Sequence, residues 1–172
     1  WGTAGEVTNI TGTGTITLTG NVTVVGPIAI ASSANVTITK AADTASRVIS
    51  IGSAFQPVTT GTVQENSMFR VRSGGKLTIK GTGNGDGRIY LSGGATWSDT
   101  VPSNESVEDN DSYYMTANTC KPTSGCRVLG HGIINSYGTL NLQYINLRDV
   151  YNTSTSYGGA ITIQNNASNG TT

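Results

Sequence analysis

Five basic residues near the middle of the chain are the first candidates for binding chemistry. They are Arg70, Arg72, Lys76, Lys80 and Arg88. If one turn of a fold projects them together, their cationic groups would form a small positive patch suited to acidic sugars. We therefore take Arg70, Arg72 and Arg88 as candidate ligand-binding residues. The alternative is that all five are only the solvated charges of an outer face.

A second candidate region is a long insertion, residues 92–128, which lacks the repeating pattern described below. It contains three aromatic residues, Trp97, Tyr113 and Tyr114. Aromatic faces stack on sugar rings or on peptide side chains, so these residues are also candidates for ligand binding. The alternative is that they pack the insertion against the rest of the fold. Segments of this length often carry function.

The insertion also contains candidate metal ligands, which are Glu105, Glu108, Asp109 and Asp111. Calcium takes about six to eight oxygen ligands, so a calcium site is one interpretation of these carboxylates. Their spacing differs from the EF-hand pattern, and a hydrated acidic loop is the alternative. We expect no other cofactor.

Residues suited to catalysis are sparse. A glycosidase needs two carboxylates on one groove, and a polysaccharide lyase needs acidic calcium ligands with a basic proton acceptor. The segments in which apolar residues alternate contain almost no acidic residues. The single histidine, His131, belongs to no recognisable Ser-His-Asp set. We therefore predict no catalytic residue, and a carbohydrate-active lyase or hydrolase is the alternative function.

Composition limits the partners and the compartment. The 172 residues fit one domain, and the ten basic and ten acidic side chains cancel. A neutral chain is a poor match for a phosphate backbone, so we expect no nucleic-acid partner. No apolar run is long enough for a transmembrane helix, and we expect no membrane insertion in this segment. Cys120 and Cys126 predict a small disulfide loop, with two free thiols as the alternative.

Apolar and polar residues alternate along much of the chain, which predicts β-strands. A short strand, a corner of small residues and a second strand recur three times. The copies are Ile28–Ile30 with Asn35–Ile38, Phe69–Val71 with Lys76–Ile79, and Ile133–Asn135 with Thr139–Leu142. This repeat predicts an all-β solenoid of about four turns, interrupted by one long disulfide-containing insertion.

Alignment of the copies predicts three strands per turn and a definite register. Leu77 should lie in the core between Val36 and Leu140, because alternate side chains point inward and stack on the neighbouring turns. The outward residues beside this column should be Thr37, Thr78 and Asn141.

The other strands are aligned by the first apolar residue of each. This places Ile133 beside Phe69 and Ile89 beside Val48, with the loops 41–45 and 81–87 at the same position in successive turns. The strand Ile161–Ile163 begins a further turn at the end of the sequence. We therefore expect this chain to be a fragment of a longer protein.

Several of these motifs resemble the opening turns of right-handed parallel β-helix regions in bacterial surface proteins, the pectate-lyase-like adhesive domains. The motifs are Gly14–Gly20, Asn21–Val24, Asn35–Ile38, Ser73–Gly81 and Gly158–Ile163. The resemblance implies a right-handed coil and an extracellular or wall-attached location. It also implies a non-enzymatic adhesion function in which the domain binds glycans or proteins on host or neighbouring cells. No wall-anchor signal is present in these residues.

A minor alternative is an ice-binding solenoid. Thr13, Thr15, Thr17 and Thr19 alternate along one strand, and Thr37 should stack on Thr78. An ice-binding plane needs a regular threonine ladder over many turns, and Asn141 and the insertions interrupt that regularity.

Overall fold

The protein is a coil of three parallel β-sheets in the part of the chain that the structure describes. The computed structural model describes residues 1–43, 45–60, 63–97, 122–125, 132–150 and 159–164. Successive strands enter the three sheets in turn, and each pairs in parallel with the strand one turn away. This arrangement confirms the prediction of an all-β solenoid.

The strands fall into three sheets, which we number in the order in which the chain enters them. Sheet I contains β1 (Thr8–Ile10), β4 (Ile28–Ile30), β9 (Phe69–Val71), β14 (Ile134–Ser136) and β17 (Ile161–Ile163). Sheet II contains β2 (Thr13–Leu18), β5 (Asn35–Lys40), β10 (Lys76–Lys80) and β15 (Thr139–Gln143). Sheet III contains β3 (Val22–Val24), β6 (Arg47–Ile51), β11 (Ile89–Ser92) and β16 (Ile145–Arg148).

Two antiparallel strand pairs lie outside these sheets. The first joins β7 (Val58–Thr60) to β8 (Val63–Glu65), between the second and third turns. The second joins β12 (Ala95–Trp97) to β13 (Pro122–Gly125), inside the long insertion. A single 3-10 turn, Gly85–Gly87, lies between β10 and β11.

Four turns of three strands are followed by β17, the first strand of a fifth turn. The first turn is more complete than the sequence indicates, because β1 pairs in parallel with β4. The sequence Thr8-Asn9-Ile10 contains only one strongly apolar residue, so the alternation that marks the other strands is missing from it.

The predicted register of sheet II is confirmed. Leu77 pairs with Val36 on one side and with Leu140 on the other, and Thr78 pairs with Thr37 and Asn141. Leu77 is completely buried and Val36 is 2% exposed. Aliphatic columns of this kind remove apolar surface from water between successive turns, which is the main stabilising contribution.

The predicted alignment of Val48 with Ile89 is wrong by one residue. Arg47 pairs with Ile89, and Val48 pairs with Tyr90. Arg47 therefore occupies an inward position, although it is charged. Its guanidinium reaches the corner of the turn, where Nη1 donates to the carbonyl oxygens of Ala45 at 3.1 Å and Ser46 at 3.2 Å.

The predicted alignment of Ile133 with Phe69 is also wrong by one residue, because Ile134 pairs with Phe69. The corner after β14 contains only residues 137–138, whereas the corner after β9 contains residues 72–75. Gly138 permits this shorter corner, since a Cβ there would lie 2.3 Å from the carbonyl oxygen of Gly75.

The corner between β5 and β6 is held by a buried cation. The side chain of Lys40 is fully buried, and its Nζ donates to the carbonyl oxygens of Ala41 at 3.0 Å and Asp43 at 2.6 Å. The Asp43 carboxylate pairs with both Lys40 and Arg47. The charges of two inward cations are therefore compensated by backbone carbonyls and by one acidic side chain of the same loop, although Arg47 Nε is buried without a hydrogen-bond partner.

The long connections leave the coil at the corner between sheets III and I. In the sequence these connections are residues 52–68, 93–133 and 149–160. The outer face of sheet I is covered in the later turns: Ala29 is fully buried, and Asn135 is 3% exposed. The outward residues of sheet II are instead exposed or half-buried.

We expect Leu77→Ala to lower the free energy of unfolding by about 3 kcal/mol, because it leaves a cavity in a column that is packed on both sides. Thr78→Ala changes the next residue on the outer face and should cost no more than about 0.5 kcal/mol. Urea denaturation followed by circular dichroism measures both values. Equal effects of the two variants would contradict the inward position of Leu77.

The loop around Asp43 predicts a pH-dependent contribution to stability. Desolvation alone would raise the pKa of Asp43, but the hydrogen bonds from Lys40 and Ala45 and the charges of Arg47 and Lys40 lower it below its ordinary value. A carboxyl with a lowered pKa in the folded state stabilises the fold above its unfolded pKa of about 4 and loses that contribution as the pH falls through the lowered value.

Asp43→Asn should therefore be less stable than the parent at pH 7, and the difference should shrink below about pH 3. Denaturation midpoints at the two pH values provide the measurement. Asp86→Asn removes the same charge from the exposed turn at Gly85–Gly87 and serves as the control. A stability difference for Asp43→Asn that does not depend on pH would contradict this role for the carboxylate.

Candidate functional site

The corner between sheets II and III changes in length from turn to turn. It contains residues 19–21 in the first turn, 41–46 in the second, 81–88 in the third and Tyr144 alone in the fourth. Neighbouring strands lie about 4.8 Å apart. A long loop beside a one-residue corner therefore forms a step, and a pocket lies at this step.

The pocket has a volume of about 330 Å³ and has a polar side and an apolar side. The polar side consists of Asn84, Arg88, Tyr144 and Asn146. The apolar lining residues are Leu142, Ile145 and Leu147. They occupy inward positions of the fourth turn, in register with the buried residues Ile79, Ile89 and Leu91 of the third turn. Its volume lies at the lower end of the range for small-molecule sites, which is about 300 to 1,000 Å³.

Arg88 organises the polar side. Its Nη1 donates to Asn146 Oδ1 at 3.2 Å, and its Nη2 lies 3.4 Å from Asn84 Oδ1. Its backbone N–H donates to the carbonyl oxygen of Gly85 at 3.2 Å. The guanidinium of Arg88 and the side-chain amides of Asn84 and Asn146 thus form one hydrogen-bonded network of planar groups, which offers guanidinium and amide N–H donors. None of the seven lining residues is acidic, so the positive charge of Arg88 is not neutralised by the pocket wall.

Tyr144 lies at the edge of the pocket with its side chain 47% exposed. Its φ angle is 54°, in the left-handed region that bulky residues rarely adopt. The corner holds this conformation, since the Ile89 N–H donates to the Tyr144 carbonyl oxygen at 3.1 Å. A strained backbone that presents an exposed aromatic ring beside a polar network is a reason to suspect a binding function.

Gly81 is required where the long loop passes the short corner. A Cβ at this position would lie 2.4 Å from the carbonyl oxygen of Gly87 and 2.9 Å from that of Tyr144. Contacts below 3.0 Å to backbone atoms force the chain to move. The shape of the pocket therefore depends on a residue without a side chain at position 81.

Two of the three predicted basic candidates lie away from the pocket. Arg70 is directed to the outer face of sheet I, where Nη1 lies 2.7 Å from Glu65 Oε1 and the guanidinium carbon lies 5.2 Å from the centre of the Tyr137 ring. Arg72 lies at the corner between sheets I and II, and its Nη2 donates to Asn9 Oδ1 at 3.2 Å. Only Arg88 lines the pocket.

The remaining basic residues, Lys76 and Lys80, lie at the two ends of β10 and are exposed on the outer face of sheet II. The predicted patch of five residues is therefore divided. Arg70 is engaged by an acidic partner and an aromatic ring on sheet I. The other four belong to the third turn: Lys76 and Lys80 lie on the outer face of sheet II, Arg72 in the corner before it and Arg88 in the corner after it.

The outer face of sheet II is a polar array. Its outward residues, turn by turn, are Thr13, Thr15 and Thr17, then Asn35, Thr37 and Thr39, then Lys76, Thr78 and Lys80, then Thr139, Asn141 and Gln143. The expected stacking of Thr37 on Thr78 is confirmed. The lysines and amides divide the threonines, so the regular ladder that ice binding requires is interrupted.

Most predicted site residues of the insertion lie outside the described residues. These are the aromatic residues Tyr113 and Tyr114, the cysteines Cys120 and Cys126, and the acidic residues Glu105, Glu108, Asp109 and Asp111. His131, beyond the insertion, also lies outside the described residues. Trp97 ends β12, and only its backbone is described, in register with Pro122. The binding, calcium and disulfide assignments for these residues stay predictions.

The described part of the chain contains no group of three or more His, Cys, Asp or Glu side chains able to hold a metal ion. It also contains no helix with the length and hydropathy needed to span a membrane.

Sequence reasoning missed Tyr144, Asn84 and Asn146. A signal for Tyr144 exists, because Leu142 and Ile145 are three positions apart where the alternation requires two. That extra residue marks a one-residue corner. Asn84 lies within the glycine-rich segment 81–87, which the sequence identifies only as a turn.

We expect Gly81→Ala to destabilise the fold by about 1–3 kcal/mol, since the added methyl group has no space between the loop and the corner. Gly83→Ala is the matched control in the same loop, because a Cβ there meets no atom within 4 Å. Chemical denaturation of both variants tests the close approach. Equal stability of Gly81→Ala and the parent would contradict it.

Comparison with known proteins gave no match to this chain. No protein-family model, no curated protein and no solved structure matches it. The resemblance to β-helix adhesins therefore rests on the sequence motifs alone, and the function must be argued from the residues of the site.

Proposed function

We propose that this chain is a non-enzymatic adhesion domain of an extracellular surface protein and that it binds a cell-surface glycan in the pocket at Tyr144. The observation that carries this proposal is the exposed ring of Tyr144 beside the Arg88–Asn84–Asn146 network. Cell-surface proteins that display such glycans are the partners we expect.

The chemistry of the pocket suits a sugar ring. One face of a pyranose consists of C–H groups, which pack on an aromatic ring, while its rim consists of hydroxyls that accept and donate hydrogen bonds. Tyr144 supplies the ring, and Arg88, Asn84 and Asn146 supply planar donors and acceptors.

The lining favours binding over bond cleavage. A glycosidase uses two carboxyl groups that flank the scissile bond, and the pocket has neither a carboxyl group nor a histidine among its lining residues. A lyase or hydrolase would need acidic residues from another part of the molecule.

The coil itself suits an extracellular display function. Each turn is fixed to its neighbours by parallel hydrogen-bonded strands, so loops at the corners project from a stiff rod. As parts of the same proposal we retain the right-handed coil, which the resemblance implies, and the disulfide between Cys120 and Cys126, which the cysteine spacing predicts.

We expect the protein to bind a subset of oligosaccharides on a glycan array, and Tyr144→Asn to weaken that binding by about tenfold. Loss of the aromatic stack removes about 1.5 kcal/mol, which is close to a factor of ten. Asparagine is chosen because it tolerates the left-handed backbone. Tyr144→Phe retains the ring and should retain most of the affinity.

Thermal melts of both variants separate a binding effect from unfolding. Unchanged affinity for Tyr144→Asn, or an array without any bound glycan, would contradict the proposal. Release of reducing or unsaturated ends from polysaccharides by the purified protein would contradict its non-enzymatic part and favour the carbohydrate-active alternative.

A further inference from the structure

We propose that the glycan is acidic and that it lies across the open face of sheet II along β10, from Arg72 at one corner to the pocket at the other. This inference rests on the proposed function and names the chemical class of its ligand. The four cations of the track, Arg72, Lys76, Lys80 and Arg88, belong to a single turn of the coil.

These four cations have no acidic partner among the described residues. The ion pairs of this part of the chain join Lys40 and Arg47 to Asp43, Arg70 to Glu65, and Arg148 to Asp149. Arg72 and Arg88 instead contact amide oxygens. No ion pair within the described residues therefore neutralises their positive charges.

The spacing of the cations suits an extended polymer. Lys76 and Lys80 begin and end β10 on the same face, so their Cα atoms lie about 13 Å apart at about 3.3 Å per residue. Arg72 precedes this pair by four positions around one corner, and Arg88 follows it around the next corner, in the pocket. A chain with regularly spaced carboxylates can contact each of them in turn.

The face between the cations contains no opposing charge. All outward residues of sheet II other than the two lysines are threonine, asparagine or glutamine, which hydrogen-bond to hydroxyls. The nearest acidic residue in sequence is Asp86, which is exposed in the loop 81–88. It lies between Lys80 and Arg88 in the chain, so its removal should strengthen the binding of an anion.

The observations favour an acidic polysaccharide over a nucleic acid. Binding to a nucleic acid uses phosphate contacts along an extended basic surface together with aromatic side chains that stack on bases. The described face of sheet II has two lysines and no aromatic residue. The pocket holds one exposed tyrosine beside amide groups, which suits a sugar.

The test compares two oligosaccharides of equal length, hyaluronan with alternate uronic acids and neutral chitin fragments, by calorimetry on the full chain. We expect tighter binding of hyaluronan.

The double variant Lys76→Gln/Lys80→Gln should weaken hyaluronan binding roughly five- to tenfold and reduce its salt dependence. Asp86→Asn should strengthen it. Arg148→Gln, which removes a charge from sheet III, is the matched control and should have no effect.

The outcomes separate this inference from the proposed function. Equal binding of the neutral fragments would overturn the acidic class but leave glycan binding intact. Equal weakening by Arg148→Gln, or none by the double lysine variant, would overturn the track. Tighter binding of a single-stranded oligonucleotide than of hyaluronan would replace the polysaccharide as the ligand. Failure of every glycan to bind would overturn the proposed function itself.

Discussion

The pairing of each strand with the strand one turn away is the constraint on which the rest of the structure depends. A shift of one residue in a strand would move every inward side chain to the outer face. Buried aliphatic columns such as Val36–Leu77–Leu140 therefore fix the register. The same register fixes which residues face solvent, so the core and the polar face of sheet II are specified together.

The corners are free to vary because the strands carry the register. The corner between sheets I and II stays short in every turn. The corner between sheets II and III grows to eight residues at 81–88 and then shrinks to Tyr144. The corner between sheets III and I takes the long connections, one of which covers sheet I through Glu65 and Arg70. The pocket and the open face both follow from this division.

The sequence was sufficient to predict the solenoid, the three strands per turn and the register of sheet II, because alternation and equal loop positions are local signals. It did not identify Arg47 as inward, since that choice depends on carbonyl groups of the loop that receive its guanidinium. It placed Ile133 rather than Ile134 beside Phe69, because the two residues are equally apolar and the alternation does not distinguish them. It also missed the pocket, whose walls come from residues about sixty positions apart.

Net charge was a poor guide to the surface of this protein. Ten acidic and ten basic residues cancel in the sum, but screening limits the interaction of exposed charges to about 10 Å at moderate salt. A ligand therefore interacts with the charges close to its binding surface, and in this coil those charges differ from one turn to the next. Asp43 pairs with the buried cations Lys40 and Arg47, and Glu65 pairs with Arg70 on the covered face of sheet I. The third turn consequently presents its cations on sheet II without acidic neighbours on that face, and a neutral chain acquires a locally positive surface.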